Sequence, residues 1–349
     1  LLWFGEIPKP TVESGWEKIR DLNFLIYISY SLNNYPKSNS GFLFISRGGY
    51  MDKHIKGALL VCLAATMWGF DGIALTPRLF NLHVPFVVFI LHLLPLILMS
   101  VIFGKEEIKN IRKLDKNDLF FFFCVALFGG SLGTLSIVKA LFLVNFKHLT
   151  VVTLLQKLQP IFAILLARIL LKEKLKKDYL FWGFLALLGG YFLTFEFNVP
   201  EVVEGDNLLA ASLYSLLAAF SFGSATVFGK RVLKAASFRT ALYVRYLMTT
   251  CIMFVIVAFT SGFGDFSEAT AGNWLIFVII ALTTGSGAIL LYYFGLRYIT
   301  AKVATMCELC FPISSVIFDY LINGNVLSPV QIASAILMII SIIKISRLN

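Results

Sequence analysis

Four ionisable side chains stand inside long apolar runs of this 349-residue chain: Asp71, Lys139, Lys157 and Glu308. An ionised group near the middle of a membrane helix costs on the order of 2.5–3.5 kcal/mol even on the lenient insertion scale. All four facing lipid unpaired would cost roughly 10 kcal/mol, comparable with the stability of a whole domain. They must therefore face an interior, pair, or lose their charge. Asp71 with Lys139 or Lys157 is the natural ion pair, since all three fall toward the same half of their runs. Glu308 falls about 10 Å from the other edge at 1.5 Å per residue, with no base nearby. A carboxyl kept from both water and bases is suited to proton exchange, so Glu308 is the expected coupling or cation-binding group.

Proline inside a helix removes one hydrogen bond and crowds the carbonyl four residues back. Pro160 therefore loosens the backbone at Gln156, and Pro312 does so at Glu308. A freed carbonyl beside a polar side chain would make a substrate or proton site. The plainer alternative is a packing kink with the side chain bonded to a neighbouring helix. Trp68 with Phe70, and Tyr293 with Tyr292, are expected to line a path, although such aromatic stripes also serve packing. His92 reads as a hydrogen-bonded core residue, while Arg168 and Arg245 are expected to snorkel from helix ends. Cys307 and Cys310 form C-x-x-C on an apolar run without a second pair or a His partner, which is not a zinc pattern. No nucleotide-binding loop, H-E-x-x-H or nucleophile elbow stands in a fitting context. No cofactor, no resident metal and no enzymatic activity are expected.

The elements that must position these residues are membrane helices. The chain is 58% hydrophobic and 14% charged, against roughly 25% charged in soluble domains. Apolar runs long enough to cross about 30 Å of hydrocarbon lie near 57–76, 84–103, 119–143, 149–171, 179–196, 208–229, 241–260, 274–295, 301–322 and 329–346. Nineteen Lys and Arg residues fall in the segments on one side of these ten spans, against Arg78 and Lys147 on the other. That bias sets both ends of the chain in the cytoplasm. It also accounts for the net charge of +10 without a nucleic-acid partner.

The first fifty residues differ in being polar and rich in turn formers, with no signal-peptide layout. Met51-Asp52-Lys53-His54 opens the first long run, so Met51 is the expected native start and residues 1–50 a non-native or disordered extension without chemistry.

The halves resemble each other. Leu63-Ala64-Ala65-Thr66-Met67-Trp68-Gly69 corresponds to Leu217-Ala218-Ala219-Phe220-Ser221-Phe222-Gly223 at an offset of 154. Leu158-Gln159-Pro160-Ile161-Phe162 corresponds to Cys310-Phe311-Pro312-Ile313-Ser314 at 152. Each copy holds five spans, an odd number, so the second runs through the membrane in the opposite sense. Inverted repeats of this kind mark secondary transporters, with substrate bound near the midplane between copies.

On Trp68-Gly69, the mid-span Pro160 and Pro312, and the ending Leu170-Leu171-Lys172-Glu173-Lys174-Leu175, the chain resembles the EamA-type branch of the drug/metabolite transporter superfamily. The resemblance covers roughly 55–347, as repeats 55–196 and 208–347. It departs at Gly324-Asn325-Val326-Leu327, where Asn325 replaces the second copy's usual Glu. The expected protein is an all-α integral membrane protein of ten transmembrane helices in two inverted five-helix repeats (5+5). It is expected to be a secondary transporter of a small organic metabolite such as an amino acid, moving it outward across the bacterial inner membrane by alternating access. Its expected partners are that small molecule, protons and the lipid bilayer. The expected cavity lies between spans 1, 3 and 4 and spans 6, 8 and 9. The rival readings are a multi-spanning enzyme acting on a lipid-linked substrate and a passive channel.

Overall fold

The computed structural model describes residues 52–144, 152, 155–197, 206–260 and 262–348. The expected N-terminal extension, 1–50, lies outside them. Among the described residues the chain is helical throughout, without strands. Among these residues, nine helices are long and apolar enough to span a membrane. They are α1 (Lys53–Leu79), α2 (Val84–Ile111), α3 (Lys116–Leu143), α5 (Lys177–Phe195), α7 (Phe238–Phe259), α8 (Ala271–Leu296), α9 (Ala301–Asn323) and α10 (Pro329–Ser346), with α6 (Asp206–Val232) between α5 and α7. The remaining expected span, 149–171, falls partly outside the described residues. Within them it appears as the shorter apolar helix α4 (Gln159–Leu170), preceded by helical 155–156.

Local chemistry sets the helix starts. Asp115, Ser237, Thr270 and Ser328 each accept a backbone N–H of the first turn on a side-chain oxygen, satisfying donors that lipid cannot. Thr270 with Asn273 and Ser328 with Gln331 form reciprocal capping boxes. Many large apolar side chains turn outward, with Val101 81% and Phe259 87% exposed, while Ala64, Ala65, Ala218 and Ala219 are buried together with aromatics such as Phe86 and Phe122. This is the inside-out gradient of a bundle packed on small residues in lipid.

The repeat governs packing down to single atoms. A Cβ on Gly69 of α1 would stand 2.9 Å from the carbonyl oxygen of Phe311 and 3.0 Å from the nitrogen of Ser315 on α9. A Cβ on Gly223 of α6 would stand 2.8 Å from the carbonyl oxygen of Gln159 and 3.0 Å from the nitrogen of Ala163 on α4. These are the same contacts exchanged between copies. Gly57 of α1 crosses Gly295 of α8 with equal intimacy, each Cβ position falling within 2.8 Å of the other residue's carbonyl oxygen.

One end of the bundle carries Lys53, Lys116, Lys174 and Lys230 and is here termed the basic end. There the two copies are tied together. The Glu173 carboxylate accepts the backbone N–H groups of Ala301 (2.9 Å) and Lys302 (3.2 Å), capping the start of α9. Lys302 Nζ returns a bond to the Lys174 carbonyl, and Lys230 Nζ donates to the Leu296 and Arg297 carbonyls. Arg239 pairs with Glu106 and Glu107, the latter wholly buried. Asn325, the repeat counterpart of Glu173, instead donates to the Asp319 carboxylate of its own neighbourhood at 2.8 Å. Glu173→Ala is expected to lower stability by about 1–2 kcal/mol, the worth of a charged cap on two N–H groups. Thermal unfolding of the detergent-solubilised protein reads this, and a midpoint equal to that of the unaltered protein would refute it.

Candidate functional site

Interruptions in five helices build the site. In α1 the α-helix ends at Phe70 and continues as a π-helical turn, Asp71–Leu75. In α3 and α8 the π-helical segments are Val125–Leu132 and Ala281–Gly285, at equivalent places in the two copies. π-bulges widen a helix, re-aim side chains and collect at functional sites. The fourth and fifth interruptions fall where the prolines predict. Lys157–Leu158 breaks the helix ahead of Pro160, and Glu308–Leu309 breaks it ahead of Pro312. The Glu308 carbonyl is not left free, because Phe311 N donates to it at 2.9 Å in a tight i+3 turn. That corrects the expected freed carbonyl: the backbone heals itself, and the Glu308 side chain alone remains available.

These interruptions surround a cavity of about 300 Å³ between the two copies, at the lower end of the range for small-molecule sites. Its lining includes Trp68, Asp71, Gln156, Lys157, Pro160, Glu308 and Pro312. All three π segments contribute, through Asp71 and Gly72, Gly129, and Thr284 and Gly285. Helices α2 and α7 also reach the cavity, through His92, Arg245 and Tyr246, beyond the six spans expected.

Glu308 Oε1 accepts from Thr226 Oγ1 (3.0 Å) and Tyr292 Oη (2.9 Å), and its Oε2 accepts from Gln159 Nε2. Four helices from both copies thus converge on one carboxylate. No cation lies within 4 Å of it among the described residues. Asp71 accepts from Thr76 Oγ1 and Thr284 Oγ1, each at 3.0 Å, which joins α1 to α8.

The expected ion pair of Asp71 with Lys139 or Lys157 does not form. Two hydroxyls already occupy the Asp71 oxygens, while Lys157 Nζ donates to the Gly190 carbonyl (3.1 Å) and the Thr194 hydroxyl of α5. Lys139 does not line the cavity and is exposed. It follows the buried, cavity-lining Val138, so a 100° turn carries it to the outer face, about 6 Å from the end of α3, where its stem reaches water. Tyr293 is also misplaced by the sequence reading. It packs behind the cavity with its hydroxyl 3.5 Å from Arg245 Nη1, while its neighbour Tyr292 lines the cavity and meets Trp68 with ring centroids 5.5 Å apart at a 47° tilt.

Arg245 does not snorkel. It turns inward onto the cavity, donating from Nη2 to the Gly129 carbonyl at 3.0 Å, a carbonyl within the α3 π segment. His92 bonds the Val88 carbonyl at 2.8 Å as expected of a core histidine, and its ring meets that of Tyr246 at 5.8 Å. These two residues are repeat counterparts at the 154 offset and face each other across the pseudo-two-fold axis. Gln159, Thr226 and Thr284 escaped the sequence reading altogether. The repeat gave a faint signal, since Gln159 stands one residue before Pro160 as Phe311 does before Pro312.

The sequence profile of the EamA-like transporter family matches residues 55–195 and 209–347, one match per five-helix repeat. The chain belongs to the EamA-like transporter family. Within that family it is similar to the riboflavin transporter ImpX of Fusobacterium nucleatum subsp. nucleatum, with 90% identity over 299 residues, 86% of this chain and 100% of that protein. It is also similar to an uncharacterized transporter of Synechocystis sp., at 26% identity over 266 residues, 74% of each chain. A solved crystal structure shares the fold with a TM-score of 0.63 at 13% identity, over 84% of this chain and 97% of the other. Family membership makes the chain a membrane transporter rather than the lipid-linked enzyme weighed above.

Proposed function

We propose that the chain carries riboflavin across the bacterial inner membrane by alternating access, with both ends of the chain and the basic end of the bundle in the cytoplasm. The observation that carries this reading is the 90% identity to a protein named a riboflavin transporter, over all of that protein's length. It displaces the amino acid as the favoured substrate. The cavity supports it on two physical grounds. Trp68, Phe222, Tyr292 and Phe311 offer ring faces for a planar heteroaromatic solute. Asp71 and Glu308 against Lys157 and Arg245 give the lining no net charge when all four are ionised, which suits an uncharged vitamin. The distribution of basic residues supports the orientation. Glu308 is the proposed coupling site, and outward movement is the proposed direction.

Purified protein in liposomes preloaded with riboflavin is expected to show saturable counterflow of labelled riboflavin, with gradients imposed in either sense reading direction. Flux without saturation or counterflow would instead identify a channel, and an absence of riboflavin flux would remove the substrate assignment.

A further inference from the structure

Most hydroxyls buried in this bundle are bonded. Thr66, Ser215 and Ser341 each donate to the carbonyl four residues back on their own helix. Tyr179 donates to the Lys302 carbonyl, Tyr243 pairs with Ser100, Tyr292 with Glu308, and Tyr293 with Arg245. Tyr246 departs from this pattern: among the described buried tyrosines its hydroxyl alone has no partner, and the side chain is 1% exposed. The Thr305 hydroxyl, equally buried, also lacks a partner, as does Arg245 Nε. All three residues line the same cavity. Of the remaining buried side-chain groups without a partner, Ser131, Ser221 and Thr250 lie outside its lining.

A buried polar group without a partner is costly, and more so within a membrane, where water cannot relieve it. Three such groups around one cavity therefore call for a ligand. Position groups them further. Arg245 and Tyr246 are seven and eight residues into α7, and Thr305 is four residues into α9, about 6–12 Å from the basic ends of their helices at 1.5 Å per residue. The three occupy the side of the cavity nearer the basic end, while Asp71, Thr76 and Thr284 occupy the other. Every unpaired group is one that donates: a guanidinium N–H and two O–H. Arg245 adds a charge that no carboxylate neutralises within 4 Å among the described residues.

We infer that Arg245, Tyr246 and Thr305 form a subsite that receives the carbonyl-bearing edge of a planar heteroaromatic ring. This rests on the riboflavin reading above and specifies which end of the molecule faces which side of the cavity. A polyol hydroxyl could accept there but would leave its own proton seeking an acceptor in a place already rich in donors. A ring edge with two carbonyls brings acceptors. The Asp71 carboxylate and its two threonine hydroxyls, on the far side, are left for the chain's hydroxyls. The unpaired atoms are shut off from water in this conformation, so the ring edge reaches them by side-chain rotation in the cavity wall.

Tyr246→Phe and Thr305→Val separate a ligand site from a packing flaw. Each removes an unpaired hydroxyl with little change of shape, so the thermal midpoint of the ligand-free protein is expected to stay level or rise. Equilibrium dialysis of the detergent-solubilised protein is expected to show each variant binding riboflavin and lumichrome, the ring without its ribityl chain, about ten-fold more weakly, the loss of roughly one hydrogen bond. Arg245→Lys, which keeps the charge but loses the planar fork, is expected to weaken both by a similar factor. Binding as tight as in the unaltered protein would overturn the subsite. So would weakened riboflavin binding with unchanged lumichrome binding, which would place the ribityl chain there, and so would failure of the unaltered protein to bind lumichrome. If the unaltered protein binds both probes with this pattern yet does not move riboflavin in liposomes, the subsite stands and the transport reading falls.

Discussion

Glu308→Gln is expected to abolish the response of riboflavin flux to an imposed pH gradient, with gradient-driven flux falling by about ten-fold or more, while exchange of riboflavin for riboflavin persists. The reason lies in what meets at this side chain. Three donors, from Thr226 of α6, Tyr292 of α8 and Gln159 at the start of α4, converge on two carboxylate oxygens. A group shared by both copies is placed to sense how the copies lie against each other. It can take up a proton only if it is a carboxylate, and an amide keeps the shape while removing that chemistry. The exchange readout matters because Gln also turns an NH₂ toward groups that donate, which costs about 1–3 kcal/mol of its own. A variant merely unfolded would lose both activities. pH-gradient dependence surviving intact in Glu308→Gln would refute the coupling role while leaving the fold untouched.

The second large effect is structural and comes in a matched pair. Gly69→Ala and Gly223→Ala are each expected to destabilise the protein by about 1–3 kcal/mol or more, since the added methyl meets backbone that cannot swing aside, and at Gly69 the Ser314 hydroxyl as well. The obstructing atoms are the carbonyl of Phe311 for one and that of Gln159 for the other, at 2.9 and 2.8 Å. Both contacts brace a proline-broken helix next to the cavity, so relief by backbone shift would also displace Glu308 or Gln159. Gly264→Ala is the control, because nothing stands within 4 Å of its Cβ position. Thermal denaturation followed by size-exclusion chromatography should separate the pair from the control. Three coincident melting curves would show that the close approach of α1 to α9 and of α6 to α4 does not support the fold.

Much of this was legible in the residues, and the boundary of legibility is physical. Apolar length and the distribution of Lys and Arg report on how each helix meets lipid and water one segment at a time, so spans and repeat could be read directly. Pro160 and Pro312 act on the backbone four residues away, so the breaks at Lys157–Leu158 and Glu308–Leu309 followed from local sterics. Lys139 and Arg245 failed for the opposite reason. Whether a charged residue in an apolar helix turns inward depends on rotation of that helix against its neighbours. Depth along the span, which the sequence does give, says nothing about that angle. Tyr292 and Tyr293 show the same limit, since adjacent residues differ by 100° and only one can face the cavity.

The sequence by itself determined that this is a helical membrane protein with two inverted copies, and that ionisable groups such as Asp71, Lys157 and Glu308 had to be accommodated inside it. These follow from solvation and chain-local geometry, which need no partner segment. Only the tertiary structure decided that Asp71 is held by two threonines rather than a lysine. It also decided that three π-helical segments open the cavity and that Arg245 and Tyr246 turn toward it with donors unspent. Each of these is a meeting of atoms far apart in the chain, and the docking of one copy against the other fixes which of them meet.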